Sequence, residues 1–181
     1  MESVLISIQP KWCELIASGK KTIEVRKTKP KLETPFKVYI YQTKESKRRF
    51  LDHRFNSQFS GHSNYTDMGK VIGEFVCNEI IVAEYGSYCN IPMNESKLNT
   101  WDLLNYANEK TVYGWHISDL VIYDKPKELS KFHKPCEEER NCLNKNFREA
   151  GRCLDKCSDC GNSLTRPPQS WCYVERSDNN G

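Results

Sequence analysis

The amino-acid sequence predicts a mixed α+β fold that is mainly β, with short helices flanking a small β-barrel. Three observations support this prediction. Several short runs are rich in β-branched and aromatic residues, turn residues separate these runs, and only two or three segments have a helical pattern. A mixed sheet is the alternative. A length of 181 residues fits a single domain spanning residues 1–181.

The composition excludes a disordered chain and a membrane-spanning one. Hydrophobic residues make up 38% of the chain and charged residues 28%, which is too apolar a mixture for disorder. No run approaches the ~20 apolar residues of a membrane span, and the N-terminus lacks the pattern of a signal peptide. We therefore expect a cytoplasmic protein that does not contact a membrane.

The first three elements have clear local signals. Residues 4–8 predict a strand, and residues 10–19 predict a helix because Pro10 suits its first turn and Gly19 the position after its end. From residue 20 the pattern has a period of two, which predicts a half-buried strand with Ile23 and Val25 on one face.

The remaining elements follow from similar patterns. Further strands are predicted at 38–41, 71–77, 113–117 leading to 120–123 with a stop at Pro126, and in a final segment, 169–176. Further helical segments are predicted at 101–107, with Thr100 as the N-cap, and as one turn within 127–132. Two segments interrupt this order: a basic surface excursion at 44–68 and a Cys-rich insert at 133–168.

Positive charge is concentrated near the N-terminus. Residues 1–54 hold 13 Lys and Arg against 6 Asp and Glu, which favours an anionic ligand such as nucleic acid. The excursion contributes a basic cluster that could follow a phosphate backbone, the alternative being a solvated loop face. Its members are Lys44, Lys47, Arg48, Arg49 and Arg54.

A compact charged motif lies where the first helix ends and the next strand begins. Gly19, Lys21, Glu24 and Arg26 form a Gly-x-Lys-x-x-Glu-x-Arg array, with Glu24 and Arg26 on one face of the strand. Lys21 can join them because it lies in the turn before the strand period begins. Such a site would hold a carboxylate that accepts from an exocyclic amine and two cations that bind phosphate or carbonyl oxygen. The alternative is a surface ion-pair ladder.

This motif and its surroundings resemble the ASCH domain, a member of the PUA-like β-barrel superfamily. The resemblance covers roughly residues 1–132 and the last strand, with residues 69–75 and 114–120 similar to later parts of the family, the latter to variants from bacteria and their phages. It implies a barrel with a cleft beside the first helix, an RNA, nucleotide or modified base as ligand, and a bacterial or phage-infected cell as the setting.

The resemblance also implies two possible enzymatic activities, because some small bacterial members hydrolyse N4-acylated cytidines with a Lys, a Thr and a Glu, and another is a ribonuclease. Lys21 matches the hydrolase lysine, whereas Glu24 stands where the hydrolase has threonine. Thr22 is displaced by two residues, and Glu74 is a candidate for the acidic partner. If the protein is an enzyme, we expect a hydrolase that uses these four residues.

Several other residues are candidates for contact with the ligand. The aromatic residues Trp12, Tyr39, Tyr41 and Trp115 flank the expected cleft and could stack on a base, although most aromatics in a small barrel belong to the core. His116 could donate to a ligand, or be a structural residue. Gln42, with Thr43, could reach a base edge from the end of its strand.

The Cys-rich insert predicts a structural zinc site. Cys157 and Cys160 form a Cys-x-x-Cys turn followed by Gly161, a spacing that lets two thiolates bind one tetrahedral zinc. The two remaining ligands would come from Cys136, Cys142 and Cys153. The insert has too few aliphatic residues to order itself without such a metal, and reactive thiols are the alternative.

The sequence thus predicts a module that recognises RNA or a modified nucleoside, acting as a monomer or weak dimer. In it, Lys21 and Arg26 engage phosphate or carbonyl oxygens, Glu24 engages an exocyclic amine, and Trp12 or Trp115 stacks. An amidohydrolase of N4-acylated cytidine-type nucleosides and an adaptor for a phage or host protein partner are the alternatives.

Overall fold

The computed structural model describes residues 2–44, 68–135 and 163–175. Within these ranges the elements, in chain order, are β1 (Glu2–Ile8), α1 (Pro10–Ala17), β2 (Ile23–Arg26), β3 (Phe36–Gln42), β4 (Val71–Ala83), α2 (Met93–Ser96), α3 (Thr100–Ala107), β5 (Val112–Lys127) and β6 (Trp171–Glu175). Short 3₁₀ turns lie at Tyr88–Asn90 and Leu129–Lys131. Among the helices in these ranges, none is both long enough and apolar enough to cross a bilayer.

The strands form one six-stranded sheet in the order β2-β5-β4-β3-β1-β6. Only the β1–β3 pair is parallel among the strand pairs of the described residues. The α+β class, mainly β, is therefore confirmed.

The predicted closed barrel is wrong, because β2 and β6 are the two edges of an open sheet. β2 has four residues and pairs only with β5 in the described part of the chain. Side chains rather than a backbone ladder connect the two ends of the sheet. Arg26 donates to the carbonyl of Ser7, and the indole of Trp171 donates to the hydroxyl of Thr28 at 2.9 Å.

Three apolar clusters stabilise the sheet. The first lies between α1 and one sheet face, where Ile16 packs with residues such as Val38 and Trp115. The second covers the opposite face around Tyr39 and Phe132. The third joins β2 and β5 to α3. The charged motif lies between the first and third clusters, since Ile23 and Val25 belong to the third, and Trp12, whose ring centroid is 5.1 Å from Lys21 Nζ, packs against the first.

Three local predictions differ from the structure. β5 continues through Pro126 to Lys127. β2 pairs with residues 113–116 of β5, so beside Pro126 the described sheet continues only on the β4 side. Proline is tolerated at such an edge position. Asn99, not Thr100, caps α3: its side-chain oxygen accepts from the backbone N–H of Asp102 at 2.8 Å. β4 extends beyond the predicted 71–77 to Ala83.

Backbone hydrogen bonds join the parts of the chain that lie near the two ends of each predicted interruption. Gln42 donates to Lys70 at 2.9 Å and accepts from Gly69 at 2.8 Å. Leu164 donates to Phe132 at 2.8 Å, next to a β-bridge between His133 and Ser163. The departure and return points of each interruption are therefore fixed to one another.

Candidate functional site

The structure brings Lys21, Glu24 and Arg26 into one buried cluster. Lys21 Nζ lies 3.4 Å from Glu24 Oε2, and Arg26 Nη1 donates to Glu24 Oε1. Lys21 is 2% exposed and Glu24 3%, while the Arg26 side chain is 12% exposed. Because two cations surround one carboxylate, the cluster keeps a formal charge of one positive unit.

The turn after α1 places Lys21 in this cluster. Gly19 has a φ of 69°, the left-handed conformation that glycine adopts without a Cβ penalty, and the backbone N–H of Lys21 then donates to Leu15 at 2.9 Å. The Lys21 ammonium donates to the carbonyl oxygens of Ile23 at 2.7 Å and of Ser96 at 2.5 Å. Lys21 therefore connects β2 to the end of α2.

Burial lowers the pKa of Lys21, and the neighbouring Arg26 lowers it further, while the Glu24 carboxylate acts in the opposite direction. The net direction is downward because desolvation of the ammonium is the largest contribution. The surroundings of a buried lysine beside a carboxylate therefore control its pKa.

Two atoms of the cluster are buried without a hydrogen-bond partner, Glu24 Oε2 and Arg26 Nε. The 3.4 Å contact from Lys21 to Glu24 Oε2 is an ion pair that lacks hydrogen-bond geometry. The Nη atoms of Arg26, by contrast, reach Glu24, the Val25 carbonyl at 3.1 Å and the Ser7 carbonyl at 2.7 Å. The cluster thus has an acceptor and a donor to offer to a ligand.

Aromatic side chains border the cluster. Lys21 Nζ lies 5.1 Å from the centroid of the partly exposed Trp12 ring, as the sequence suggested for that residue. Tyr106 of α3 was not predicted, yet its hydroxyl is close enough to Arg26 for the guanidinium to act on its pKa. Burial raises the pKa of Tyr106 and outweighs the lowering by Arg26. Only the spatial approach of α3 to β2 reveals this residue.

Trp115 and His116 occupy different positions from those expected. Trp115 is fully buried, with its ring 5.8 Å from Phe36 and 5.9 Å from Trp171, so it does not offer a stacking face. The next residue points to the opposite face, where His116 Nδ1 lies 2.8 Å from the Asn78 side-chain oxygen. His116 pairs with Ile23 rather than Glu24, and so it does not face the cluster.

Tyr39 and Tyr41 also lie on the wrong face for the expected cleft. Both pack in the cluster on the face opposite α1, because they alternate with Val38 and Ile40 along β3. Gln42 is buried at the end of β3 on the α1 side. Tyr41 borders a separate cavity of about 450 Å³, lined by Tyr41, Thr43, Lys44, Gly69, Leu129, Thr165 and Pro167.

Glu74, the candidate acidic partner, is on that same opposite face. Its carboxylate accepts from Lys37 Nζ at 2.6 Å and from the Tyr123 hydroxyl at 2.5 Å, and its ladder partner is Tyr39. Burial acts to raise the pKa of Glu74, but the two hydrogen bonds lower it below its ordinary value. Glu74 is therefore not the partner of Lys21.

The Thr22 hydroxyl donates to the Glu95 carboxylate of α2 at 3.2 Å. Its backbone also joins α2, since the Thr22 N–H donates to the Glu95 carbonyl at 3.0 Å. Thr22 is thus paired with an exposed acid rather than with Glu24.

The remaining candidates fall largely outside the described residues. Of the basic cluster, Lys44 is described and exposed, whereas Lys47, Arg48, Arg49 and Arg54 are not described. The five predicted zinc ligands, Cys136, Cys142, Cys153, Cys157 and Cys160, also lie outside. Across ranges 2–44, 68–135 and 163–175, no group of three or more His, Cys, Asp or Glu could hold a metal ion.

Comparisons with known proteins agree with this architecture. The sequence profile of the ASCH domain matches residues 6–127. The crystal structure of ASCH from Zymomonas mobilis is 20% identical with a TM-score of 0.52, over 70% of this chain and 73% of that one. A serine-to-alanine variant of that protein is 17% identical with a TM-score of 0.59, over 96% and 89% of the two chains. A comparison with curated protein sequences found no match.

The profile covers most of the chain, including the charged cluster, the strands β2 to β5 and the end of β1. The solved structures share the fold at low identity. The chain belongs to the ASCH domain family.

Proposed function

We propose that this ASCH domain binds a base of RNA, or a modified nucleoside, at the Lys21–Glu24–Arg26 cluster. One observation carries the proposal: Glu24 Oε2 and Arg26 Nε are buried polar atoms without hydrogen-bond partners. An unsatisfied buried polar group costs about 1–3 kcal/mol, so a ligand that satisfies both atoms gains affinity. A base edge with an exocyclic amine beside a carbonyl or ring nitrogen presents the complementary donor and acceptor.

The charge of the cluster supports the same ligand class. The net positive unit favours a carbonyl oxygen or a phosphate over a cationic ligand. Trp12 is the aromatic side chain placed to stack, since its ring is partly exposed and lies beside Lys21. Arg26, the most exposed of the three charged residues, is the side chain whose movement would admit a base to Glu24.

An amidohydrolase is the second candidate, favoured by the lowered pKa of Lys21 beside a carboxylate. In this reaction water adds to the acyl carbon, the amide C–N bond breaks, and a carboxylic acid and the free amino nucleoside leave. In its neutral form Lys21 would take a proton from this water, and the same proton would pass by way of the neighbouring Glu24 carboxylate to the leaving amine.

One experiment separates the two candidates. The purified protein is mixed with a pool of modified nucleosides that includes N4-acetylcytidine, and mass spectrometry reads both the retained complex and the free small molecules. Retention of an unchanged nucleoside, lost in Glu24→Gln but not in Glu33→Gln, is the expected result. Loss of an acyl group would establish the hydrolase instead, and no retention with no turnover would overturn both.

A further inference from the structure

Three exposed lysines follow the cluster directly along the chain. Lys27, Lys29 and Lys31 are exposed, while Pro30 between them is buried. We refer to residues 27–31 as the lysine loop. The loop therefore presents three ammonium groups within five residues of the chain.

The lysine loop is held in place by β6. The Trp171 indole donates to the Thr28 hydroxyl at 2.9 Å, and the backbone N–H of Lys31 donates to the Tyr173 hydroxyl at 2.8 Å. The two aromatic rings support each other in an edge-to-face contact at 5.4 Å. A surface fixed in this way loses little backbone entropy when it binds a ligand.

Aromatic rings lie beneath the lysines. Lys27 Nζ is 5.1 Å from the centroid of Tyr106, and Lys29 Nζ is 5.8 Å from that of Tyr113. Both rings are partly exposed. Basic groups interleaved with aromatic faces are the surface chemistry that binds single-stranded nucleic acid, through phosphates and stacked bases.

No acid within the described ranges forms an ion pair with a lysine of the loop. The ion pairs found in the described ranges use Lys21, Arg26, Lys37 and Lys70, and none includes a lysine of the loop. Residues 2–44 alone hold nine Lys and Arg against four Asp and Glu. Most of the N-terminal excess of positive charge therefore lies in this region rather than in the excursion.

We propose that the lysine loop binds consecutive phosphates of a single-stranded RNA whose base occupies the neighbouring cluster. This inference rests on the proposed function and deepens it, because it selects a polynucleotide over a free nucleoside. Three cations on one short loop exceed what a single nucleotide requires. Lys27 follows Arg26 directly, so the backbone of a nucleotide bound at Glu24 lies within reach of the loop.

The test compares two triple variants of the full chain. Lys27→Gln, Lys29→Gln and Lys31→Gln together remove the loop charges, and Lys110→Gln, Lys125→Gln and Lys131→Gln remove the same charge at exposed positions elsewhere. The probe is a fluorescein-labelled, single-stranded RNA of 12 nucleotides with randomised sequence, titrated from 50 to 300 mM salt. Thermal melting verifies that each variant is folded. If a triple variant does not fold, variants with one lysine replaced are measured in its place.

The loop variant should raise the Kd for RNA roughly tenfold or more. It should also reduce the slope of log K against log salt by about 2, since each phosphate that is no longer neutralised lowers this slope by about 0.7. The control variant should change neither quantity by a comparable amount, and nucleoside retention should persist in both.

Equal effects of the two triple variants on RNA binding would overturn the inference. RNA binding that needs the loop but is unchanged in Glu24→Gln would overturn the function of the cluster and support the phosphate contact alone.

Discussion

Arg26 Nη2 donates a hydrogen bond to the carbonyl oxygen of Ser7 at 2.7 Å, which joins β2 to β1 across the open side of the sheet. The same guanidinium donates to Glu24 in the charged cluster. One side chain therefore joins the edge strand β2 to β1 and completes the proposed ligand site. Stability and binding should respond together when it is changed.

Arg26→Lys keeps the charge but removes the planar fork that reaches Glu24, Val25 and Ser7 together. We expect the free energy of unfolding to fall by about 1–3 kcal/mol, as measured by urea denaturation. The matched control is Arg166→Lys at an exposed position, which should change it by less than ~0.5 kcal/mol. Equal losses in both variants would contradict the bridging role.

Glu24→Gln leaves Lys21 and Arg26 buried or partly buried without their carboxylate. We expect a loss of about 3 kcal/mol in the free energy of unfolding, because removing the carboxylate leaves the two cations without a counter-charge. Glu33→Gln, at an exposed carboxylate, is the control. In a double-mutant cycle, adding Lys21→Met should recover part of the loss, and simple additivity would argue against the coupling.

Glu74 should make stability depend on acid pH. Its folded-state pKa is lowered below 4.5, so the contribution of its bonds to Lys37 and Tyr123 is present above that pH and is lost as pH falls through the folded-state value. The wild-type protein should exceed Glu74→Gln in thermal stability at pH 7, and this difference should narrow below about pH 4.5. Melting curves between pH 7 and 3 measure it, and a constant difference would refute the prediction.

The described cysteines should differ sharply in reactivity. Burial raises the pKa of Cys77 to about 12 and that of Cys13 as well, so both thiols remain protonated at pH 8. Cys89 is exposed, and Cys172 is only partly buried. Iodoacetamide labelling read by peptide mass spectrometry should modify Cys89 rapidly in the folded protein and Cys13 and Cys77 only after denaturation. Fast labelling of Cys77 would contradict its burial.

Zinc content tests the prediction made for the Cys-rich insert. Protein purified without chelator should contain about one zinc per chain by elemental mass spectrometry, as four thiolates bind one tetrahedral ion. Cys157→Ser with Cys160→Ser should abolish this content, whereas Cys89→Ser should preserve it. Metal-free wild-type protein would leave the reactive-thiol alternative for the insert.

Local signals in the sequence were sufficient to predict the elements that begin or end at proline or glycine. Pro10 and Gly19 bound α1 to within two residues, and the period of two located β2. The approach of Lys21 to Glu24 also follows from local chain geometry, because the turn and the strand are contiguous.

Errors arose where an assignment needed the register between distant strands. Nothing local to β3 says which of its faces meets α1, so Tyr41 and Glu74 were expected near Lys21 although they lie on the opposite face. The β4–β5 ladder has three register shifts, which period-two reasoning cannot anticipate. Barrel closure likewise depends on whether two edge strands meet, a property of the whole sheet.

The backbone bonds between Gln42 and Gly69 and between Phe132 and Leu164 have a practical consequence for protein engineering. Because each pair fixes the two ends of the intervening segment to one another, that segment could be replaced by another sequence while the strands on either side keep their pairing. A short glycine-rich connector, or a fluorescent reporter whose termini are close together, could replace either segment. RNA binding measured on such variants would then show what each replaced segment contributes.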